Sequence, residues 1–158
     1  MGDKFKDLPY RNGVGIIVIN NDNKVFVAKR IDNPKNFWQM PQGGVDKGES
    51  FLSAAYRELE EETSIKKVKL IKEIDEMTTY ELPDHLLGKI WKGKYKGQKQ
   101  KWFLMRYLGK DNEINIHTPK PEFLDWKWIE IDMITNVVVD FKLEVYKKIQ
   151  KKIKIIIN

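Results

Sequence analysis

The stretch GVGIIVIN at 13–20 constrains this chain more than any other segment. It is β-branched, apolar and closed by turn residues, so it reads as a buried strand. Asn21-Asp22-Asn23 supplies turn chemistry, and KVFVAKR at 24–30 alternates apolar with polar, which makes it the hairpin partner. Asn33-Pro34-Lys35-Asn36 breaks the chain. A short aromatic piece, 37–40, leads into Pro41-Gln42-Gly43-Gly44, a loop in which no helix can start. From 50 to 63 the period changes to that of a helix, with Leu52, Ala55, Tyr56 and Leu59 spaced three and four apart as its apolar seam. Residues 68–82 read as one strand stopped by Pro83, 89–101 as a loop, and 102–108 and 126–131 as further strands. Phe141, Val145, Ile149 and Ile153 mark a terminal amphipathic helix. Strands interrupted by two helices, with no repeat or linker, predict one mixed α/β domain over 1–158.

Composition removes whole classes of chemistry. There is no cysteine, hence no disulfide scaffold, thiol nucleophile or Cys-ligated metal, and two histidines are too few for an imidazole cage. His85 and His117 are read as structural or surface residues. The apolar runs are far shorter than a membrane span. The first residues carry no apolar leader, and Lys6 stands where a myristoylation signal has Ser or Thr. A soluble, cytoplasmic protein is expected. The net charge of +6 is unevenly spread. Residues 89–101 hold six lysines and no acid, the tail from Lys142 holds six lysines and one acid, and the acids crowd at Glu58, Glu60, Glu61 and Glu62. Such segregation suits a polyanionic ligand and a cation held among anions.

On a helix advancing about 100° per residue, Glu58, Glu61 and Glu62 share an arc of about 100°, with Glu60 on the far side. The apolar seam of Leu52, Ala55, Tyr56 and Leu59 is centred away from that arc. Like charges four apart repel, whereas a hard divalent cation with oxygen ligands makes the cluster favourable, Mg2+ above all. Taken alone, an acidic stripe is more often a solvated face.

The surroundings change that reading. Gly43, five residues, Glu49, seven residues, Arg57-Glu58-Leu59, one residue, Glu61-Glu62 and then Ile65 follow the pattern Gly-x5-Glu-x7-Arg-Glu-aliphatic-x-Glu-Glu-x-Gly-aliphatic. On ordinary composition this arises by chance at about 10⁻⁶. The chain thus resembles the Nudix family. Ser64 stands where the pattern has Gly, at a helix end where positive φ is common, so a local cost in stability is expected. Tyr10-Arg11-x-Gly-Val-Gly, Trp38-Gln-Met-Pro-Gln-Gly-Gly, Gly97-Gln-Lys-Gln-Lys-Trp-Phe, Pro121-Glu-Phe and Phe141-Lys-x-x-x-Tyr146 extend the likeness to about 9–152. Within the family they are similar to bacterial RNA pyrophosphohydrolases and to dinucleoside polyphosphate hydrolases.

The resemblance implies an α/β/α sandwich with a mixed sheet and a catalytic loop–helix–loop. It also implies hydrolysis of a phosphoanhydride by water, assisted by Mg2+, with Mn2+ or another divalent cation able to substitute. Glu58, Glu61 and Glu62 would hold metal, Glu49 would join from the helix start, and Gly43 would let the backbone come close. Arg57 would orient the acids by ion pairing. Glu122, in Pro-Glu-Phe, is by resemblance a further carboxylate reaching the metals, as base or ligand. Arg11, Arg30, Lys99, Lys101 and Lys142 suit phosphate oxygens or bases, with Gln39 beside them, and Tyr80 and Phe141 suit stacking on a base. Trp102, Trp126 and Trp128 are read as core. The expected substrate is a 5′-triphosphate RNA end, whose pyrophosphate is removed so that messenger decay proceeds. The alternative is a dinucleoside polyphosphate such as diadenosine tetraphosphate. A non-catalytic nucleic-acid-binding module is the third reading, and the intact acids speak against it. No membrane partner is expected.

Overall fold

A computed structural model describes residues 5, 7–33 and 35–157; the expectations at residues 1–4, Lys6 and Pro34, and the chain limit at 158, lie outside the described residues. Among the described residues seven strands form one sheet. They are β1 (Tyr10–Ile19), β2 (Val25–Arg30), β3 (Gln42–Gly44), β4 (Val68–Glu73), β5 (Thr78–Glu81), β6 (Gly97–Tyr107) and β7 (Phe123–Ile129). The order β4-β6-β1-β2-β7 forms its path, with β3 added to β1 and β5 to β6. β1 and β6 run parallel over ten residue pairs and the remaining pairings are antiparallel, so the sheet is mixed.

Alternation along β1 explains why both faces must be covered. Val14, Ile16 and Val18 join Phe103 and Met105 on one face and pack on helix α1 (Phe51–Thr63) through Ala54, Ala55 and Leu59. Ile17 and Ile19 join Trp102 and Leu104 on the other, beneath helix α3 (Leu143–Ile157) through Val145, Tyr146, Ile149 and Ile153. A short helix α2 (Ile134–Val137) precedes α3. This is the expected helix–sheet–helix layering. Among the described residues no helix is long and apolar enough to cross a membrane.

Five local expectations change. Residues 42–44 are a strand, because Gly43 and its neighbours pair with 13–15 of β1. The expected strand 68–82 is two strands on one edge of β6. Residues 74–77 stand opposite only Lys101 and Trp102 there, and the extra length loops out before Trp102 Nε1 donates to Thr78 Oγ1 at 2.8 Å. The basic loop ends early. Residues 97–101 open β6, with Gln98 and Gln100 buried and Lys99 outward, an alternation that polar inward residues conceal. Trp126 and Trp128 are half-buried against the core rather than within it.

The fifth change concerns α1. Tyr56 is exposed, while Ala54, Ala55, Leu59, Glu62 and Thr63 are buried. The buried face is therefore rotated toward the acids, and Glu62 lies inside it. Small Ala54 and Ala55, with Gly43 opposite, let the sheet approach the acidic side.

Candidate active site

Ser50 caps α1, its Oγ accepting from the Ser53 N–H at 3.1 Å. At the far end Ser64 takes φ 64°, and its N–H donates to the Glu60 carbonyl at 2.9 Å. The left-handed cost expected there is offset by Ser64 Oγ, which donates to the Asn115 carbonyl at 2.8 Å.

Arg57 collects most of the acids. It holds Glu49 bidentately through Nε at 2.7 Å and Nη2 at 2.8 Å, and reaches Glu58 at 2.8 Å and Glu61 at 3.3 Å through Nη1. Nη2 also donates to the Gly44 carbonyl at 2.9 Å, which ties the helix to β3. Hydrogen bonding from Arg57 pushes the Glu49 carboxyl down to about 2. Repulsion among Glu49, Glu58 and Glu61 is thus relieved within the chain. Glu61 remains exposed.

Glu62 is different. It is buried, and desolvation first, then the neighbouring Glu58, drive its carboxyl well above the usual range. Burial likewise raises Glu58, against the pull of Arg57. The two carboxyls neighbour each other, and the Glu58 charge adds to the rise at Glu62. Glu62 Oε2 is buried with no hydrogen-bond partner among the described residues. A Cβ on Gly43 would collide with the Glu58 carboxyl, which leaves room for that group only beside a glycine. A divalent cation fits this chemistry: it offsets the crowded carboxylate charge and satisfies the orphaned oxygen. As they stand, no three His, Cys, Asp or Glu side chains among the described residues close around one point, because Arg57 draws Glu49 and Glu61 aside.

Glu122 precedes β7. Its Oε2 lies 3.6 Å from Arg30 Nη2, and its charge contributes to the rise at Glu62. Arg30 also forks onto Asp32 with two 2.8 Å bonds. Arg30 therefore links the acids of α1 to a set of cations and rings beneath α3.

In that second set, Lys142 is buried and Nζ donates to Gln39 Oε1 at 3.2 Å. Its Nζ lies 5.5 Å from the centre of the Tyr80 ring and 5.8 Å from that of Phe141. Burial, with Arg30 adding to it, lowers the Lys142 ammonium to about 7. Gln39 Nε2 has no hydrogen-bond partner among the described residues. The rings of Tyr80 and Phe141 lie 5.7 Å apart and tilted. Tyr80 Oη donates to Gln98 Oε1 at 3.1 Å and accepts from Gln42 Nε2 at 3.3 Å, while Gln98 Nε2 donates to the Gly43 carbonyl at 3.2 Å. Arg11 lies against Gly44, where a Cβ would strike its guanidinium.

The geometry brings Arg11, Arg30, Gln39, Tyr80, Phe141 and Lys142 into one neighbourhood. Lys101 is drawn elsewhere, to Glu73 at 3.5 Å and the Asp75 carbonyl at 3.1 Å, and Lys99 points outward. Gln42, Gln98 and Asp32 were not singled out from sequence; the alternation within GQKQK is the signal for Gln98. A groove of about 1000 Å³ also borders Arg57 and Glu61, lined further by Ser64, Lys66 and His117, and it leaves Glu62 and Lys142 outside.

Residues 9–149 match the NUDIX domain family. An RNA pyrophosphohydrolase of Pelagibacter ubique (strain HTCC1062) is 70% identical over 158 residues, covering 100% of both chains. One of Rickettsia typhi is 43% identical, covering 99% of this chain and 97% of the relative. Among solved structures, the E. coli dihydroneopterin triphosphate pyrophosphohydrolase superposes with a TM-score of 0.70 at 21% identity, covering 91% of this chain and 99% of that one. The binary complex of a C. elegans Ap4A hydrolase gives 0.63 at 18%, with 90% and 98% covered.

Proposed function

This chain belongs to the Nudix family, and from that premise we propose that it is a cytoplasmic, single-domain RNA pyrophosphohydrolase. It removes pyrophosphate from 5′-triphosphate RNA ends and leaves a monophosphate open to ribonucleases. The observation that carries this reading is the 70% identity, end to end, with a relative bearing that name. The segregation of an acidic helix from a cation-lined neighbourhood supports it, because a metal-bound polyphosphate needs both.

Nudix hydrolases generally use divalent cations, and here Mg2+ is the natural one, with Mn2+ or another able to replace it. Glu58 and Glu62 would hold it, with Glu61 and Glu49 turning in from Arg57 and the Gly43 backbone alongside. Bound there, the cation would neutralise phosphate charge and lower the pKa of a bound water. The remaining work falls to the side chains. Arg57 fixes the carboxylates in place. Glu122 is the candidate to accept the proton of the attacking water, with Arg30 Nη2 3.6 Å from its carboxylate. Arg11, Arg30 and Lys142 take up phosphate oxygens, and Phe141 with Tyr80 offers a ring face to the first bases. Lys99 and Lys101, farther along β6, would meet the polymer only outside this centre.

The deciding experiment supplies 5′-triphosphate RNA and diadenosine tetraphosphate in parallel with Mg2+. Release of pyrophosphate and 5′-monophosphate RNA is expected. Turnover of diadenosine tetraphosphate alone would replace this reading with dinucleoside polyphosphate hydrolysis. Neither being cleaved would leave the non-catalytic module.

A further inference from the structure

Arg11 has an unusual setting for a guanidinium. Among the described residues no carboxylate pairs with it, although four acids stand around Arg57 close by. Its guanidinium is instead confined between Gly44 and the indole of Trp91, whose centre lies 5.1 Å from Cζ. A cation over an indole face is held in place without its charge being neutralised.

The backbone that delivers Trp91 is strained in a way this explains. Trp91 at φ 52° and Lys92 at φ 58° are both left-handed without being glycine, and Gly93 at φ 70° follows. L residues adopt that region only when their surroundings over-determine it. The surroundings here are specific: the Gly93 N–H donates to the Ile90 carbonyl at 2.9 Å, Lys94 N–H to the Trp91 carbonyl at 3.2 Å, and Tyr95 meets the Trp91 ring edge-on at 6.3 Å. An ordinary right-handed turn would aim residue 91 elsewhere.

We propose that Trp91 is a positioning residue, holding Arg11 as an unneutralised cation beside the acid helix so that it receives the phosphates of the substrate. The inference rests on the polyphosphate-hydrolase reading and adds a residue to it. Trp91 acts through Arg11 and touches no reacting atom, so it governs how tightly the polyphosphate is held more than how fast the bond breaks.

The test is a double-mutant cycle of Arg11→Ala with Trp91→Leu, and a parallel one with Trp91→Phe, read as KM and kcat on 5′-triphosphate RNA and on a nucleoside triphosphate. Trp91→Leu is expected to raise KM about threefold to thirtyfold with kcat little changed. Trp91→Phe should recover most of the loss, and in the Arg11→Ala background neither change should add a further effect. If the two sites multiply independently, or Phe is no better than Leu, Trp91 is packing only and the inference is overturned. Should Trp91→Leu melt early, the Phe cycle carries the same comparison: coupling to Arg11 upholds the role and additivity removes it. If the unmutated protein cleaves neither substrate, the hydrolase reading itself has failed; if it cleaves and Trp91→Leu leaves KM unmoved, only the Trp91 assignment has.

Discussion

Gly43 and Gly44 are neighbours on one short strand, yet they face opposite charges. Gly43 gives way to the Glu58 carboxyl on the side of α1, and Gly44 gives way to the Arg11 guanidinium on the side of α3. The acidic side is largely balanced from within, because Arg57 answers Glu49, Glu58 and Glu61. Buried Glu62 has no ion pair among the described residues, and its Oε2 has no hydrogen-bond partner there. The cationic side is not balanced: Arg11 rests on an indole and Lys142 on an amide and two rings. The difference teaches that the protein alone completes neither half. A ligand carrying a divalent cation and several phosphates would complete both.

The sharpest way to break this comparison is Glu62→Gln. Loss of hydrolysis by about a thousandfold or more is expected, with the fold intact by circular dichroism, since a buried, crowded charge is removed. Mg2+ should raise the melting temperature of the unmutated protein and do so far less for this variant. Unchanged turnover at saturating Mg2+ would remove Glu62 from the metal site.

Lys142 tests the other half through pH. Its folded pKa of about 7 lies below the ordinary 10.5, so between those values the unfolded chain holds more protons. Stability should therefore climb from about pH 7 to pH 10.5, by a few kcal/mol, and level off above. The groups that bear on it are Arg30, which opposes its charge, and Asp32 and Glu62, which favour it. Lys142→Met should flatten the climb in chemical denaturation while lowering RNA turnover. A slope that survives the substitution would place its origin in another group.

Phe141→Ala is expected to weaken RNA turnover by about 1–3 kcal/mol and to spare a nucleoside triphosphate, which has no second base to stack. Equal harm to both substrates would make Phe141 a packing residue. The smallest effect belongs to Ser64→Gly. It exchanges backbone strain at φ 64° for the bond to Asn115, so stability should move by no more than about 1 kcal/mol, with turnover unchanged. A large loss of turnover would show that the helix end, and not Arg57, sets the geometry of the acids.

How much of this was legible in the sequence depended on whether spacing or packing carried the information. The order of strands around a mid-chain helix follows from periodicity, and the acids of α1 follow from spacing alone. The burial of Glu62 did not, because a helical wheel drawn through Leu52 and Tyr56 weighs residues by hydropathy, and small Ala54 was the residue the sheet approached. The first half of β6 was hidden for a related reason: Gln98 and Gln100 face inward into hydrogen bonds with Tyr80, Gly43 and Gln42, so its alternation is of size and partner and not of polarity. Lys101 was indistinguishable from its neighbours until Glu73 was seen across the strand. Trp91 left no sequence signal as a site residue, since nothing in its own type announces positive φ.

The parallel pairing of β1 with β6 has a consequence in time. Ten residues at 10–19 find their main partner at 97–106, so this contact closes a loop of about half the chain. Non-local parallel pairing is slow to form, and ribosomes deliver about 5–20 residues per second. For several seconds of synthesis, GIIVI is exposed with only a single ladder pair to β2, Ile19 to Val25, and one to β3, Gly15 to Gln42. Until Gly97 to Arg106 emerge, the nascent chain presents a sticky, half-paired strand, and substitutions that delay β6 should show first as aggregation during expression, before any loss of stability in the finished protein.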